Sequence, residues 1–558
     1  MRTMSSPKLK LADYSSFTHL LQNGGDFESP AQRKELQDII EKSIKQDIPA
    51  IELDIQQSLM KIHKLESKKK RVQSSVSRFK ELLTPVPINR LPTEILVEIF
   101  LIFRDSTSDR DSTAITQGVW PLTHVSRRWR SITVSLPQLW IYINIDDIHK
   151  PAKNQLRILN TALARSGSHA LHIDAYLPGF IHKESEFDSR HLGPQATNSI
   201  PLWPSRKELI SAMIRAVVQH SDRWVTANIH LAFTDCLRPI YRRLSSLEKL
   251  TVGGELYGDP LIFSVAPKLR DLEILNADTS TLRFPWKQLV RFHDSQYDPY
   301  NDPLPLHLRI LRKYPQLEEF EDDSDGDHEK TSKQSITHHN LTALMCSDYR
   351  LVRCLTLPSL RSLHLHSFAS TCPPEIIPAA HDLLNRSQCA SSLRVLHLES
   401  VELDRSVFNL IESTNGLADF IFSFGEWNSS NDASMECLIN RMSTCRKEIG
   451  KQVLLPRLES FTVNVRLTFR HDSDGCACNI EFLDKKYVDM VEARWNNSGS
   501  SVSQLRVVKF ESDIPATLSA LTDRCIQRMK KMRDEGLITY IAASTSEDSK
   551  ETRIYVKH

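Results

Sequence analysis

Pro358-Ser359-Leu360-Arg361-Ser362-Leu363-His364-Leu365-His366 is the stretch from which the architecture of this chain is read. In an extended segment successive side chains point to opposite faces, so Leu363 and Leu365 share one side while Ser362, His364 and His366 turn to the other. The same frame, Leu-x-x-apolar-x-apolar, returns at Leu247-Leu250-Val252, Leu269-Leu272-Ile274, Leu393-Leu396-Leu398, Leu417-Phe420-Phe422, Leu458-Phe461-Val463 and Leu505-Val508-Phe510, with weaker copies from Leu289, Leu317 and Leu341. Successive starts lie 22, 20, 28, 24, 19, 33, 24, 41 and 47 residues apart. Proline stands two residues ahead of the leading leucine at Pro267, Pro315, Pro358 and Pro456, where it stops a preceding helix from running on.

The shorter intervals match the period of leucine-rich repeats, and the longer ones require insertions. Stacked strands of this kind make a curved parallel sheet backed by helices, such as one expected over Ala516–Arg533 and closing at Gly536. The alternative is a compact α/β domain whose strands happen to begin with leucine. Glu318–Asp327 is read as a solvated acidic loop interrupting the array. Its Glu321-x-Asp323-x-Asp325-Gly326 imitates the start of a calcium loop, but position twelve is Ser332 rather than the closing glutamate.

Composition removes several chemistries. Glycine accounts for 16 of 558 residues, well under its usual share of about 7 %. No Gly-x-Gly and no Gly-x-Ser-x-Gly occur, and the P-loop lookalike Gly253–Gly258 continues into Asp259-Pro260 instead of Lys-Ser/Thr. His-Glu-x-x-His is absent, and Cys476-Ala-Cys478 near His471 lacks the paired spacing of a zinc site. Neither a metal nor a cofactor is therefore expected, nor an intrinsic enzyme activity. His364, His366, His338 and His339 are read as solvated side chains on polar positions.

The net charge of +2 gives no global pull on nucleic acid. Lys68-Lys69-Lys70-Arg71 reads either as a solvated helix face or as a local phosphate or import patch. No apolar stretch suits a signal peptide or a membrane span, and ten cysteines show no framework, so a reduced compartment, cytoplasmic or nuclear, is expected.

Ahead of the leucine frames, residues 1–31 have the texture of a mobile tail. Residues 32–84 are charged and helical, with apolar side chains at Ile51, Ile55, Leu59, Ile62, Leu65, Val72, Val76, Phe79 and Leu83. Lys69 sits in that seam and Pro49 interrupts the helical pattern, so a helical hairpin or a packed stalk stands beside self-association through 51–83. Thr84-Pro85-Val86-Pro87 ends the helix.

The next segment reads Pro87-Ile-Asn-Arg-Leu91-Pro92-Thr-Glu94-Ile95-Leu96-Val-Glu-Ile99-Phe100, with one wide apolar helical face. A second helical unit carries Trp120, Leu122, Val125, Trp129 and Ile132, and Leu136-Pro137-Gln138-Leu139-Trp140 follows. These three submotifs, in this order over about residues 87–142, resemble the F-box, in its fungal form with a leucine-rich-repeat-like part after the box. The resemblance implies three short helices docking a Skp-type adaptor, and through it cullin, in a ubiquitin ligase. It implies adaptor-facing roles for Pro87, Leu91, Pro92, Ile95, Leu96 and Ile99, and for Val125, Trp129, Leu139 and Trp140 in building the module and its docking surface. Two departures stand out: Arg104–Gly118 is longer than the usual link and reads as a polar loop bulging outward, and Ser126 replaces a common cysteine.

The expected fold class is thus α plus α/β. An N-terminal helical or coiled-coil segment (32–84) leads to a three-helix F-box (85–142), then an irregular leucine-rich-repeat solenoid with a curved parallel sheet (143–558). The resemblance implies a non-catalytic adaptor that tethers an unknown protein substrate near the ligase, raising its effective concentration. An F-box scaffold acting outside a ligase is the other reading.

Overall fold

The computed structural model describes residues 15–18, 22, 29–83, 88, 91–106, 112, 114–145, 154–176, 203–230, 235–254, 259–276, 282–295, 302–324, 334–366, 372–425, 427–443, 453–465, 478–497 and 502–544. Internal contacts divide the chain into two units, residues 1–96 and 97–558.

In the first unit, helices span Pro30–Lys42 and Ile48–Leu83 and are joined by a wider π-helical turn at Ser43–Asp47. The Ser29 hydroxyl caps the first helix by accepting from the Gln32 amide. Pro49 has no N–H to donate back along the helix, and the widened turn just ahead of it takes up the missing bond. Ile51, Ile55, Leu59, Ile62, Leu65, Val72 and Val76 all lie exposed along the longer helix. Of the tail at 1–31, only residues 15–18, 22 and 29–31 fall within the described part, and the side chains of Phe79 and Leu83 fall outside it.

The second unit is built on one parallel sheet. Its strands are β1 (Tyr142–Ile145), β2 (Leu171–Tyr176), β3 (Trp224–His230), β4 (Lys249–Gly253), β5 (Asp271–Leu275), β6 (Arg291–Ser295), β7 (Glu319–Asp322) and β9 (Ala343–Cys346). They continue through β11 (Ser362–Leu365), β12 (Val395–Glu399), β13 (Asp419–Phe424), β14 (Ser460–Val465) and β16 (Val507–Thr517). From β1 to β16 these strands pair in chain order, and β17 (Ile538–Ser544) and the short β15 (Cys478–Asn479) both pair with β16. A separate parallel pair joins β8 (Ile336–Thr337) to β10 (Leu355–Thr356).

All ten leucine frames are strands, and consecutive ones are neighbours. Leu250, Leu272, Phe292, Phe320, Leu344, Leu363, Leu396, Phe420, Phe461 and Val508 face one another in register across the sheet. Every one of them is buried, as is each leading leucine. At Pro267, Pro315, Pro358 and Pro456 the proline is the second residue of a tight turn closed by the amide of the frame leucine, as in Leu360 N–H to Leu357 O at 3.2 Å. The same closure recurs at Leu139 N–H to Leu136 O around Pro137.

Uneven spacing comes from what crosses between strands. The described residues between β4 and β5 form only turns, whereas helices Ile376–Ser387, Ser429–Met442 and Lys485–Trp495 lie within the longest intervals. Parallel crossovers are right-handed, so a sheet whose strands are added in one direction receives all its helices on one side. Burial agrees: along β5, β7, β9, β11 and β12 every second side chain is buried and the intervening ones are partly exposed.

Three expectations are corrected. Glu319–Asp322 is strand β7 rather than a solvated loop, because Leu317 and Phe320 anchor it in the core and Asp322 is buried against His307. The last long helix runs Asp523–Asp534, since residues up to Thr517 extend β16; its chain reverses at Gly536, whose φ of +114° suits glycine. The link after residue 104 does not simply bulge outward. Ser112 is buried on the outer edge of β1, donating its amide to Asn144 O at 3.0 Å while its hydroxyl accepts from Asn144 N, which covers an otherwise unpaired edge.

Candidate functional site

Two regions place chemistry-bearing side chains together. The first follows the N-terminal helices. Helix Thr93–Ser106 begins directly after Pro92, with Glu94 in its first turn, where a carboxylate meets the positive helix end. Ile95 and Ile102 are exposed on it, Ile99 is half-buried, and Leu96 and Phe100 are fully buried. Leu91 is half-buried and Pro92 exposed, whereas Pro87 lies outside the described residues.

The expected second helix is two helices, Leu122–Val125 and Arg127–Ser135. Ser126 breaks them: it is extended, and its hydroxyl accepts from the Trp129 amide at 3.1 Å as the cap of the second helix. The residue that departs from the family pattern therefore performs a job that suits serine. Val125 is 59 % exposed beside this break, and Trp129 is half-buried with its ring 4.7 Å from that of Phe100.

Leu139 and Trp140 are buried and offer no surface. The Trp140 indole donates to Thr133 O at 2.8 Å and its ring meets Trp120 edge-on at 4.9 Å. Arg165 lies over both tryptophans, 4.8 and 4.5 Å from their ring centres, and its burial lowers its pKa. Leu139 and Trp140, expected to build the module and contribute to its docking surface, are interior side chains; Leu96, expected to face the adaptor, is buried as well, while Ile95 and Val125 are exposed. Ile102, 66 % exposed, was not among the expected contacts; the spacing 95, 99, 102 along one helix is the signal that points to it.

The second region is the uncovered face of the sheet. Glu273, His293, Glu321, Met345, His364 and His397 stand opposite one another on successive strands. Thr251 donates to Glu273 at 2.8 Å, and His293 lies 3.3 Å from Glu273 and 3.5 Å from Glu321. The histidine and threonine contacts hold Glu273 down at about 2 despite its burial. Burial works against protonation of His293, but the Glu273, Glu321 and Asp323 carboxylates outweigh it and raise its pKa.

Farther along, His364 and His397 stack with ring centres 3.8 Å apart, and His364 Nε2 lies 3.2 Å from Glu399. His366 is not solvated: it is 4 % exposed, with Nδ1 at 3.3 Å from Asp323 and Nε2 at 3.2 Å from Asp322 O. Burial, reinforced by neighbouring His364, depresses its pKa to about 4. His338 is likewise buried, accepting from the Leu341 amide, whereas His339 is exposed as expected. His397 and Glu399 were missed, although Leu363-His364-Leu365 and Leu396-His397-Leu398 repeat the same tripeptide in register.

Beneath the sheet, two ladder positions that are apolar elsewhere hold Asp294 and Asp322. His307, from helix Leu304–Lys313, reaches Asp294 at 2.8 Å and Asp322 at 3.8 Å, all three being buried. Of the Cys476–Cys478 and His471 cluster, only Cys478 is described.

Comparison with known families gives one match: the F-box-like family model covers residues 88–146. No curated protein matches the chain.

Proposed function

We propose that this F-box protein is the substrate-recognition adaptor of a Skp–cullin–F-box ubiquitin ligase. The box docks the Skp-type adaptor and through it cullin, and the sheet, taken as an irregular leucine-rich-repeat array, recruits a protein target. The observation that carries the reading is the exposure of Ile95, Ile102 and Val125 on a segment matching the F-box-like family, in which Phe100, Leu139 and Trp140 are buried. Large apolar side chains left in water at such a place mark a protein interface. No chemistry of the chain's own is needed, because holding a target beside the ligase raises its effective concentration at the transfer site.

The test is capture of a purified Skp-type adaptor by the full chain. Ile95→Lys and Val125→Asp change exposed positions and are each expected to lower capture by roughly thirtyfold, the loss of a hot-spot contact of about 2 kcal/mol. Retention at the wild-type level in both variants would overturn the docking assignment. Adaptor captured without any co-eluting cullin would instead make the chain a scaffold outside the ligase.

A further inference from the structure

We propose that His364, His397 and Glu399 form a binding site for a first-row transition cation of the zinc class on the uncovered face of the sheet. Strand pairing sets His364 of β11 directly opposite His397 of β12, and Glu399, two residues beyond His397, projects to the same side. One donor atom from each residue lies within 4.8 Å of the other two. Glu399 Oε2 is 3.2 Å from His364 Nε2 and 4.0 Å from His397 Nε2. Donors about 2.0–2.2 Å from a tetrahedral zinc stand roughly 3.3 Å apart, so the His364–Glu399 pair has the required separation, and the His397 ring has to turn out of its stack with His364 and close on that pair.

The donor set selects the ion. Two imidazoles and one carboxylate suit zinc and its first-row neighbours, whereas magnesium and calcium take oxygen ligands. His397 Nε2 also meets the Ser423 hydroxyl at 2.9 Å, and that hydroxyl accepts from Asn464. A cation takes the place of the Ser423 contact, and the hydroxyl turns aside. Asp323, held 3.3 Å from His366 Nδ1, adds nearby negative charge, with the His366 ring 5.3 Å from that of His364.

The three side chains retain 21 %, 20 % and 27 % of their exposure, so solvent reaches the cluster and can complete the coordination shell. Three protein ligands with one open position is the arrangement of sites that exchange water for another ligand. On this sheet that ligand is a histidine, cysteine or carboxylate of a docked target; this use rests on the proposed role of the face, while the site itself does not.

The experiment titrates Zn²⁺ alone into the untagged, chelator-stripped full chain by calorimetry. One saturating equivalent at micromolar concentration or below is expected, weakened more than about tenfold in His397→Ala and in Glu399→Gln. His381→Ala, on helix Ile376–Ser387, is expected to bind like the wild type, and thermal melts of all variants establish that they are folded. Cobalt in place of zinc should give visible absorption bands that vanish in the same two variants. Absence of saturable zinc uptake by the wild type up to about 100 μM, or uptake unchanged in both ligand variants, overturns the site.

Discussion

His307 is buried between two buried carboxylates, with Asp294 at 2.8 Å and Asp322 at 3.8 Å. Burial alone would strip its proton, but the two carboxylates outweigh that cost and lift its pKa to about 8. The unfolded value is near 6.5. A histidine raised on folding contributes fully below that unfolded value and loses its contribution as pH rises through the folded one. Melting temperature should therefore be highest near pH 6 and fall between pH 7 and 9, by the equivalent of about 2 kcal/mol for a shift of roughly 1.5 units. His307→Gln should melt lower at pH 6 and show little of this alkaline fall; an identical pH profile for both proteins would rule out His307 as its source.

Among single elements, the short helix Arg127–Ser135 shows how one side chain sets a boundary. Ser126 must be extended for its hydroxyl to reach the Trp129 amide, and that geometry ends Leu122–Val125 one residue earlier. Ser126→Ala is expected to cost about 1 kcal/mol, read as faster deuterium exchange of residues 127–130, with Ser126→Asp restoring protection. Equal exchange in Ser126→Ala would show that packing of Trp129 alone holds the helix.

The same scale shows what was legible beforehand. Strands that open on leucine announced themselves, since alternation plus a leading apolar anchor is a local property. Strand β3 has Trp224 in the buried leading place, and β2 opens on the buried Leu171, opposite Trp224, but a register shift after it breaks the spacing of the frame. Glu318–Asp327 misled because charge was weighed without its partners: Ser324 donates its amide and hydroxyl to the buried Asp322, and His307, on a different element, lies 3.8 Å away. For the segment that matches the F-box-like family model, the submotifs mark out the stretch of chain, but division into interior and surface depends on tertiary contacts. Trp140 and Val125 look alike in a string of letters, yet one is sealed beneath Arg165 and the other is in water.

Across the second unit, each main-sheet strand from β2 to β14 pairs, among the described residues, only with the main-sheet strands before and after it. Opening therefore has to spread from neighbour to neighbour, and the end strands lack support on one side. Hydrogen exchange is expected to be slowest in β9 to β13 and faster toward β2 and β17. Uniform protection from end to end would mean that the sheet opens as one cooperative body.

The alternation of buried and partly exposed positions along β5, β7, β9, β11 and β12 has another consequence. The leucine ladder and the helices settle whether the sheet holds together, and none of the side chains on the far face takes part in that ladder. Each of those positions, such as Glu273, His293 or His364, can change its charge or shape with little penalty to its neighbours' packing. If the face recruits a target, as proposed, its contacts can then be changed one strand at a time while the packed core stays the same.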